Sequence, residues 1–113
     1  MHEYSLVQAM FDQIGEVARA REAISVRRVR VRIGQLAGVD PALLHTAYDL
    51  FRVRTFCADA PLDIDEIPPR WTCPVCHVDI ATGGPLVCPD CGAPARLTAG
   101  DEIVLDRLEL EVP

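Results

Sequence analysis

The stretch from Arg70 to Gly92 decides how this chain is organised, because it holds four of the five cysteines: Cys73-Pro74-Val75-Cys76 and, eleven residues later, Cys88-Pro89-Asp90-Cys91. Each Cys-x-x-Cys pair brings two sulfurs to one ion from a single tight turn, and two such turns complete a tetrahedral shell. The gap is shorter than is usual for such pairs, but Gly83-Gly84-Pro85 can turn the chain sharply. Four cysteine ligands leave no open position for water, so we predict a structural rather than a catalytic zinc site.

Three other uses of these cysteines compete with structural zinc. A disulfide framework is disfavoured, because the number of cysteines is odd and we expect no secretory signal ahead of them. Redox chemistry at one Cys-x-x-Cys pair would leave the second pair unexplained. An iron–sulfur cluster uses the same ligands, and the spacing does not distinguish it from zinc.

Composition limits the classes of protein to which the chain can belong. Half of its 113 residues are hydrophobic and 5% are aromatic, which allows one small domain with an aliphatic core. No apolar run approaches the ~20 residues of a membrane span, so we expect no membrane association. Cysteines used in the reduced state, with no secretory signal expected, predict a cytoplasmic location. The net charge of -6 disfavours nucleic acid as a partner. The chain has no lysine and no H-E-x-x-H or G-x-S-x-G motif, so we predict that it is not an enzyme.

Hydrophobic periodicity predicts two helices and three strands outside the cysteine stretch. Apolar residues recur at helical spacing from Tyr4 to about Ala20, and alternate with arginines in a strand from Ser25 to Gly34. Asp40-Pro41 is a typical helix start, and the second helix is predicted to end near Thr55. Shorter alternating segments predict strands at 62–67 and 103–112, the last with Val104, Leu108, Leu110 and Val112 on its apolar face.

This order of elements predicts an α+β or α/β two-layer fold, in which a small three-stranded sheet packs against two helices. The strand–helix–strand unit favours a parallel pairing of its two strands. The cysteine segment is too short to fold on an apolar core, and bound zinc can supply roughly 10–16 kcal/mol to such a segment. We therefore predict an α/β domain over 1–69 plus 101–113, and an inserted zinc-ribbon-like domain over 70–100.

The N-terminus offers a second set of metal ligands. The imidazole and backbone nitrogen of His2 would close a six-membered chelate ring, and the backbone amide of Glu3 would add a five-membered ring. Nitrogen donors arranged in this way favour a square-planar ion, nickel(II) or copper(II), over zinc. On residue type alone, however, a histidine at position 2 is more often a solvated terminal residue.

The chain resembles the HypA/HybF family of nickel metallochaperones for [NiFe] hydrogenase maturation. The residues that carry this resemblance are the opening Met1-His2-Glu3-Tyr4-Ser5, the two cysteine pairs, the Arg28–Gly34 strand, Asp49-Leu50-Phe51-Arg52, and the closing Gly100-Asp101-Glu102 and Leu108-Glu109-Leu110-Glu111. The resemblance extends over the whole chain, and it agrees with the length and the order of elements. It implies a carrier of Ni(II) that also contains a structural Zn(II).

The resemblance also implies roles for particular residues and partners. His2 would be the nickel ligand with Glu3 beside it, and Cys73, Cys76, Cys88 and Cys91 would hold the zinc. Asp40 matches a position near the nickel site, although its role as a helix cap explains it equally well. The expected partners are the GTPase HypB, the hydrogenase large-subunit precursor and, in a homodimer, a second copy of the chain. The alternative function is a zinc-ribbon interaction module without a transferable metal.

Four further features have less specific interpretations. His77 either replaces a cysteine as zinc ligand or is a solvated loop residue, the latter being the commoner case. His45 is interpreted as a packing residue of the second helix, and Cys57 as a small buried hydrophobe. The arginines at 28, 30 and 32 are expected to form a solvated strand face, or a surface for an acidic partner.

Overall fold

Two helices cover one face of a small sheet, and a second sheet carries the cysteine pairs. The computed structural model describes residues 3–113 of the chain. The elements are α1 (Glu3–Ala20), β1 (Ser25–Gly34), α2 (Pro41–Phe51), a 3-10 turn (Arg52–Arg54), β2 (Leu62–Ile67), β3 (Arg70–Thr72), β4 (Asp79–Ile80), β5 (Arg96–Ala99) and β6 (Ile103–Glu111). The predicted mixed fold of two helices with a small three-stranded sheet is confirmed.

The helices form where the periodicity predicts them. α1 buries Val7, Met10, Ile14 and Ala18, which lie on one face at helical spacing. α2 begins at Pro41, and the Asp40 side chain accepts hydrogen bonds from the backbone N–H groups of Ala42 and Leu43, at 2.9 and 3.3 Å. The interpretation of Asp40-Pro41 as a helix start is therefore confirmed.

The first sheet has the strand order β2-β1-β6, with β1 in the centre. β1 pairs in parallel with β2, as the strand–helix–strand unit predicts, and antiparallel with β6. Its core face and the two helices bury an aliphatic cluster that includes the ring of Tyr48, against which the partly buried Phe11 packs with the ring centroids 5.6 Å apart. The fully buried members of this cluster include Val7, Ile14, Val26, Val29, Val31, Ile33 and Leu44.

The apolar face predicted for β6 is wrong at Val104. The register with β1 shifts between Arg107 and Leu105, so that Asp106 is an extra residue in a β-bulge. The bulge changes the face to which all preceding side chains point, and it is Leu105 that packs on the core with Leu108 and Leu110. Val104 is exposed on the other face. The strand ends at Glu111, one residue before the predicted end.

The second helix also ends earlier than predicted. α2 stops at Phe51, and the chain continues as the 3-10 turn instead of reaching Thr55. The backbone N–H and the hydroxyl of Thr55 both donate to the carbonyl of Arg52, at 3.0 and 2.8 Å. Such local hydrogen bonds give the backbone an alternative to another helical turn.

The cysteine segment contains a sheet that the sequence did not predict. Its order is β4-β3-β5, and β3 is antiparallel to both neighbours. These strands have only two to four residues, which is too short for an alternating pattern to be recognised. The described residues form two separate buried clusters, one beneath each sheet. The division into 1–69 plus 101–113 and 70–100 stays a prediction.

The open face of the first sheet carries ion pairs rather than a row of unpaired arginines. Arg28 lies 2.7 Å from Asp63 on β2 and 4.0 Å from Glu109 on β6. Arg30 lies 3.5 Å from Asp65 and 3.8 Å from Asp106. The face is solvated, as expected, but its neighbouring carboxylates offset the charge of two of the three arginines.

Neither described helix is long and apolar enough to cross a membrane.

Tyr48 carries a hydroxyl group inside the aliphatic core. Its ring is fully buried, and its hydroxyl donates to the carbonyl of Ala60 at 2.8 Å, which ties α2 to the segment before β2. Burial raises the pKa of Tyr48 far above its ordinary value, and the nearby Cys57 raises it further. The phenol therefore stays protonated in the folded chain at alkaline pH.

We predict that Tyr48→Phe lowers the free energy of unfolding at pH 7 by about 1 kcal/mol, because one buried hydrogen bond is lost. In the parent chain the unfolded phenol ionises above pH ~10 while the folded phenol does not, so this residue's contribution to stability falls as pH rises. The cost of the substitution should therefore shrink above pH 10. Urea unfolding at pH 7 and pH 11 measures both effects.

The matched control is Tyr4→Phe, since the Tyr4 ring is more than half exposed. It should change the free energy of unfolding by less than about 0.5 kcal/mol. A Tyr48→Phe variant as stable as the parent chain at pH 7 would show that the Ala60 hydrogen bond contributes nothing.

Candidate metal centre

The two cysteine pairs lie in turns with the same hydrogen bonds. The N–H of His77 donates to the carbonyl of Cys73 and that of Gly92 to the carbonyl of Cys88, both at 2.9 Å. The backbone N–H of Cys73 donates to the carbonyl of Val78, at 2.9 Å, and that of Cys88 to the carbonyl of Ala93, at 2.8 Å. Each of these two turns, called knuckles below, is thus closed by hydrogen bonds of its own backbone. Each knuckle presents two sulfurs on one side.

Both knuckles use a left-handed backbone conformation at the residue after the second cysteine. Gly92 has φ +74°, which glycine adopts without steric cost. His77 occupies the equivalent position with φ +59°, where a residue with a Cβ is less favourable. The structure therefore gives His77 a backbone role in the first knuckle. His77 is outside the group of ligands that the described residues bring together.

The four predicted zinc ligands converge in space. The sulfurs of Cys73, Cys76, Cys88 and Cys91 all lie within 4.8 Å of one another, and the Cys73–Cys91 distance is 3.5 Å. A tetrahedral zinc with Zn–S bonds of about 2.3 Å places its sulfurs roughly 3.8 Å apart. The donor set and its dimensions therefore fit a Zn(II) ion. Such an ion would crosslink the two knuckles.

The environment of the sulfurs explains why this arrangement needs a cation. The backbone N–H groups of Cys76 and Val75 point at the Cys73 sulfur, at 3.2 and 3.4 Å, and they lower the pKa of Cys73 to about 7. The neighbouring sulfurs, that of Cys91 above all, raise the pKa of Cys76 to about 12. Several thiolates so close together are unstable unless a positive ion lies among them.

Little apolar packing supports the knuckles apart from the sulfurs. The buried cluster of this segment consists of Cys73, Cys88 and Ile80, with Trp71, Ala93 and Ala95 packed at its edge. Cys76 and Cys91 are exposed. Two of the three buried residues are thus themselves predicted ligands, which agrees with a segment that folds around its metal.

The predicted nickel ligands are only partly within the described residues. His2 lies outside them. Glu3 is the first residue of α1, where the backbone N–H groups have no acceptor within the helix. Asp40 uses its side chain as the cap of α2, and its proximity to nickel stays a prediction. The roles of all the predicted metal ligands stay predictions as well.

Two other candidate residues have clear environments. Cys57 is buried, as predicted, and its burial raises the pKa of the thiol. The interpretation of His45 as a packing residue is wrong, because its side chain is about half exposed and pairs with Asp49 at 3.1 Å. These two residues on α2 are four apart, which places their side chains on the same helix face.

Sequence reasoning missed the backbone junction that attaches the cysteine segment. The Leu36 N–H donates to the carbonyl of Gly100, and the Gly34 N–H to that of Glu102, both at 2.7 Å. A Cβ on Gly34 would lie 2.1 Å from the Gly100 carbonyl, and one on Gly100 would lie 2.6 Å from Pro69. In the sequence, this junction is marked only by a glycine at a strand end, Gly34, and a glycine after the cysteine pairs, Gly100. Neither glycine indicates that it contacts the other.

A family model described as "Hydrogenase/urease nickel incorporation, metallochaperone, hypA" matches residues 1–110. The chain belongs to the HypA family. It is 36% identical to the hydrogenase maturation factor HypA of Shewanella oneidensis over 113 residues, covering 98% of this chain and 96% of the relative. Against HypA of Wolinella succinogenes the identity is 34%, with 98% and 96% covered.

Solved structures agree with this assignment. The nickel metallochaperone HypA from Helicobacter pylori, a solution structure, is 31% identical, and the two chains cover each other fully with a TM-score of 0.74. A second HypA solution structure matches at 31% identity and a TM-score of 0.80, covering 100% of this chain and 98% of the other. The resemblance to HypA proteins is confirmed, and the family is one of metallochaperones rather than enzymes.

We predict that His77→Gly leaves zinc affinity unchanged and raises thermal stability by up to about 1 kcal/mol, because glycine removes the cost of the left-handed conformation. His77→Ala serves as the matched variant, since it removes the imidazole but keeps the Cβ. Competition with a chromophoric chelator measures zinc affinity, and thermal unfolding of the zinc-loaded chain measures stability. Equal losses of zinc affinity in both variants would instead make the imidazole a ligand.

Proposed function

We propose that this chain carries Ni(II) and delivers it during maturation of [NiFe] hydrogenase. The observation that supports this most directly is the HypA family match, which extends from residue 1 to residue 110 and so includes both sets of predicted ligands. The curated relatives are named as hydrogenase maturation factors. The family description names both hydrogenase and urease as enzymes that receive nickel. The choice of hydrogenase as the recipient is therefore narrower than the family description.

The proposed nickel ligands are His2 and Glu3. His2 would supply its imidazole and backbone nitrogen, and Glu3 its backbone amide with the carboxylate nearby. The position of Glu3 at the start of α1 supports this, because its amide can lose a proton without breaking a helical hydrogen bond. The positive end of the helix dipole opposes a cation by only about 0.3–1 kcal/mol, and the Glu3 charge offsets it.

In the proposal the zinc ion has a different task. Cys73, Cys76, Cys88 and Cys91 would hold a permanent Zn(II) that folds the 70–100 segment. The thiolate shell is closed, so it has no vacant position for an exchanging ligand. Soft sulfur donors suit zinc, whereas a planar set of nitrogen donors suits nickel(II) or copper(II). One chain could therefore hold both metals without exchanging them between sites.

Delivery requires partner proteins. We propose a HypB-type GTPase as the partner in nickel handling and the hydrogenase large-subunit precursor as the recipient, in the cytoplasm. The position of Glu3 in the first turn of α1 supports such a transfer, because it precedes Val7, the first residue that the helix buries in the core. We propose no role for nucleic acid, in keeping with the net charge of -6.

We predict that His2→Ala lowers nickel affinity at least tenfold, the effect usual for losing a metal ligand or its support, and leaves bound zinc unchanged. Calorimetric titration of untagged, zinc-loaded chain with Ni(II) measures the affinity. His45→Ala is the matched control, since it removes an exposed histidine from another part of the chain and should leave nickel binding intact.

A one-residue extension before Met1 sharpens the test, because it keeps every side chain and changes only the amine and the adjoining backbone. Unchanged nickel binding in both the His2→Ala and the extended chain would contradict the N-terminal site. One tightly held zinc with no specific nickel binding at all would instead favour the zinc-ribbon interaction module.

A further inference from the structure

The cysteine segment leaves several large apolar side chains in contact with solvent. Val75, Val78, Leu86 and Val87 are between 40% and 66% exposed. The buried cluster of the segment does not include them, because it consists of two cysteines and Ile80. Single exposed apolar residues are ordinary on a protein surface, whereas a contiguous apolar patch marks a site of interaction.

Part of this apolar surface forms a groove beside the second knuckle. The groove has a volume of about 270 Å³, and the described residues that line it are all apolar or glycine: Ile80, Ala81, Gly84, Pro85, Val87 and Pro89. Ile80 also belongs to the buried cluster with Cys73 and Cys88. Val87 and Pro89 flank Cys88 in the chain. The groove therefore lies directly against the cysteine centre.

The groove is preformed in the folded segment. The Ala95 N–H donates to the Leu86 carbonyl at 2.9 Å, and Val87 forms an antiparallel bridge with Pro94, so the chain entering the second knuckle is held in place. Gly84 leaves the groove open, since a Cβ there would have no heavy atom within 4 Å. A preformed groove can bind a side chain without first ordering its own walls.

We propose that this groove receives an apolar side chain of a partner protein, and that basic residues flank that side chain in the partner. A side chain buried in a pocket of the other protein is the usual centre of a protein–protein interface. The lining argues against a nucleotide or a charged metabolite, because such ligands need polar groups to orient them and the described lining offers only apolar side chains.

The charges near the groove favour a basic partner. Asp90 is exposed, and it is the one charged side chain in the 80–92 stretch that contributes the groove. On β3, Arg70 is paired with Asp79 at 3.2 Å, and Arg96 lies on β5, on the far side of β3 from β4. Four thiolates around one zinc ion would add negative charge beside the groove, a contribution that rests on the proposed zinc site. Complementary charge of this kind selects the partner and speeds its approach.

Nuclear magnetic resonance titration of the isotope-labelled, zinc-loaded full chain with three synthetic peptides tests the proposal. The first peptide has phenylalanine and leucine at its centre between short runs of arginine. The second has glutamates in place of the arginines, and the third has serines in place of the two apolar residues. We expect the first to shift the amides of Ala81, Gly84 and Val87 saturably, and to bind about tenfold or more tightly than the other two.

Gly84→Leu is the variant that fills the groove. The added side chain has room, and the backbone at this position does not require glycine, so the variant should fold. We expect it to weaken binding of the arginine peptide about tenfold or more. Val75→Leu is the matched control, because it introduces the same residue at an exposed position of the first knuckle, outside the groove, and should have no effect.

Asp90→Val tests the charge argument separately. It gives the second knuckle the residue that the first has at the same position, Val75, so the turn should be kept. We expect the preference for arginine over glutamate flanks to fall severalfold, while the amides that shift stay the same.

Three outcomes would overturn the proposal. The first is an arginine peptide that binds Gly84→Leu as tightly as the parent chain, which would reflect attraction to net charge alone. The second is equal binding of the serine peptide. The third is a shift of the groove amides with protein concentration in the absence of peptide, which would assign the groove to a second copy. If circular dichroism shows Gly84→Leu to be unfolded, Val87→Thr, nearly the same in shape but polar, takes its place and should weaken binding in the same way.

This docking site is independent of nickel carriage, because no N-terminal ligand contributes to it. Nickel titration and zinc analysis of the same samples therefore show separately whether the proposed metal sites fail. A chain that binds both metals but none of the peptides would contradict the docking site alone.

Discussion

The close approach of Gly34, Gly100 and Pro69 is the constraint on which the rest of the fold depends. β2 and β6 flank β1, and both connections to the cysteine segment leave from the end where β1 stops. They can do so only because two side chains are absent, since a Cβ on Gly34 would overlap the Gly100 carbonyl. The backbone hydrogen bonds from Gly34 and Leu36 to this returning segment then fix the position at which the two cysteine knuckles are attached.

Two different forces stabilise the two parts of the molecule. The α/β part relies on burial of aliphatic side chains beneath one sheet, and among residues 3–113 Tyr48 is its one fully buried aromatic side chain. The cysteine part buries only Ile80 and two of its own sulfurs, so we expect it to depend on the coordinate bonds of a metal ion. Under the proposed function, a permanent metal would stabilise this part, and the exchangeable metal would bind at the start of α1.

The sequence predicted those features that depend on local pattern. The α1 stripe, the alternation in β1, the Asp40 cap and the cysteine knuckles all follow from spacing within a few residues. It failed where partners are distant along the chain. The bulge at Asp106 results from pairing with β1, and the junction results from the contact of Gly34 with Gly100. The early end of α2 is a local feature that was also missed, since Thr55 donates to the Arg52 carbonyl three residues before it. The charge of Arg28 and Arg30 is likewise offset by carboxylates on other strands.

The central claim is that the two metals occupy separate donor sets in one chain. X-ray absorption at the zinc and nickel edges of the untagged chain, loaded with one equivalent of each metal, tests it most directly. We predict four sulfurs at about 2.3 Å around zinc and only nitrogen and oxygen donors around nickel. Sulfur in the nickel shell, or nitrogen replacing sulfur at zinc when nickel is added, would contradict the separation of the two sites.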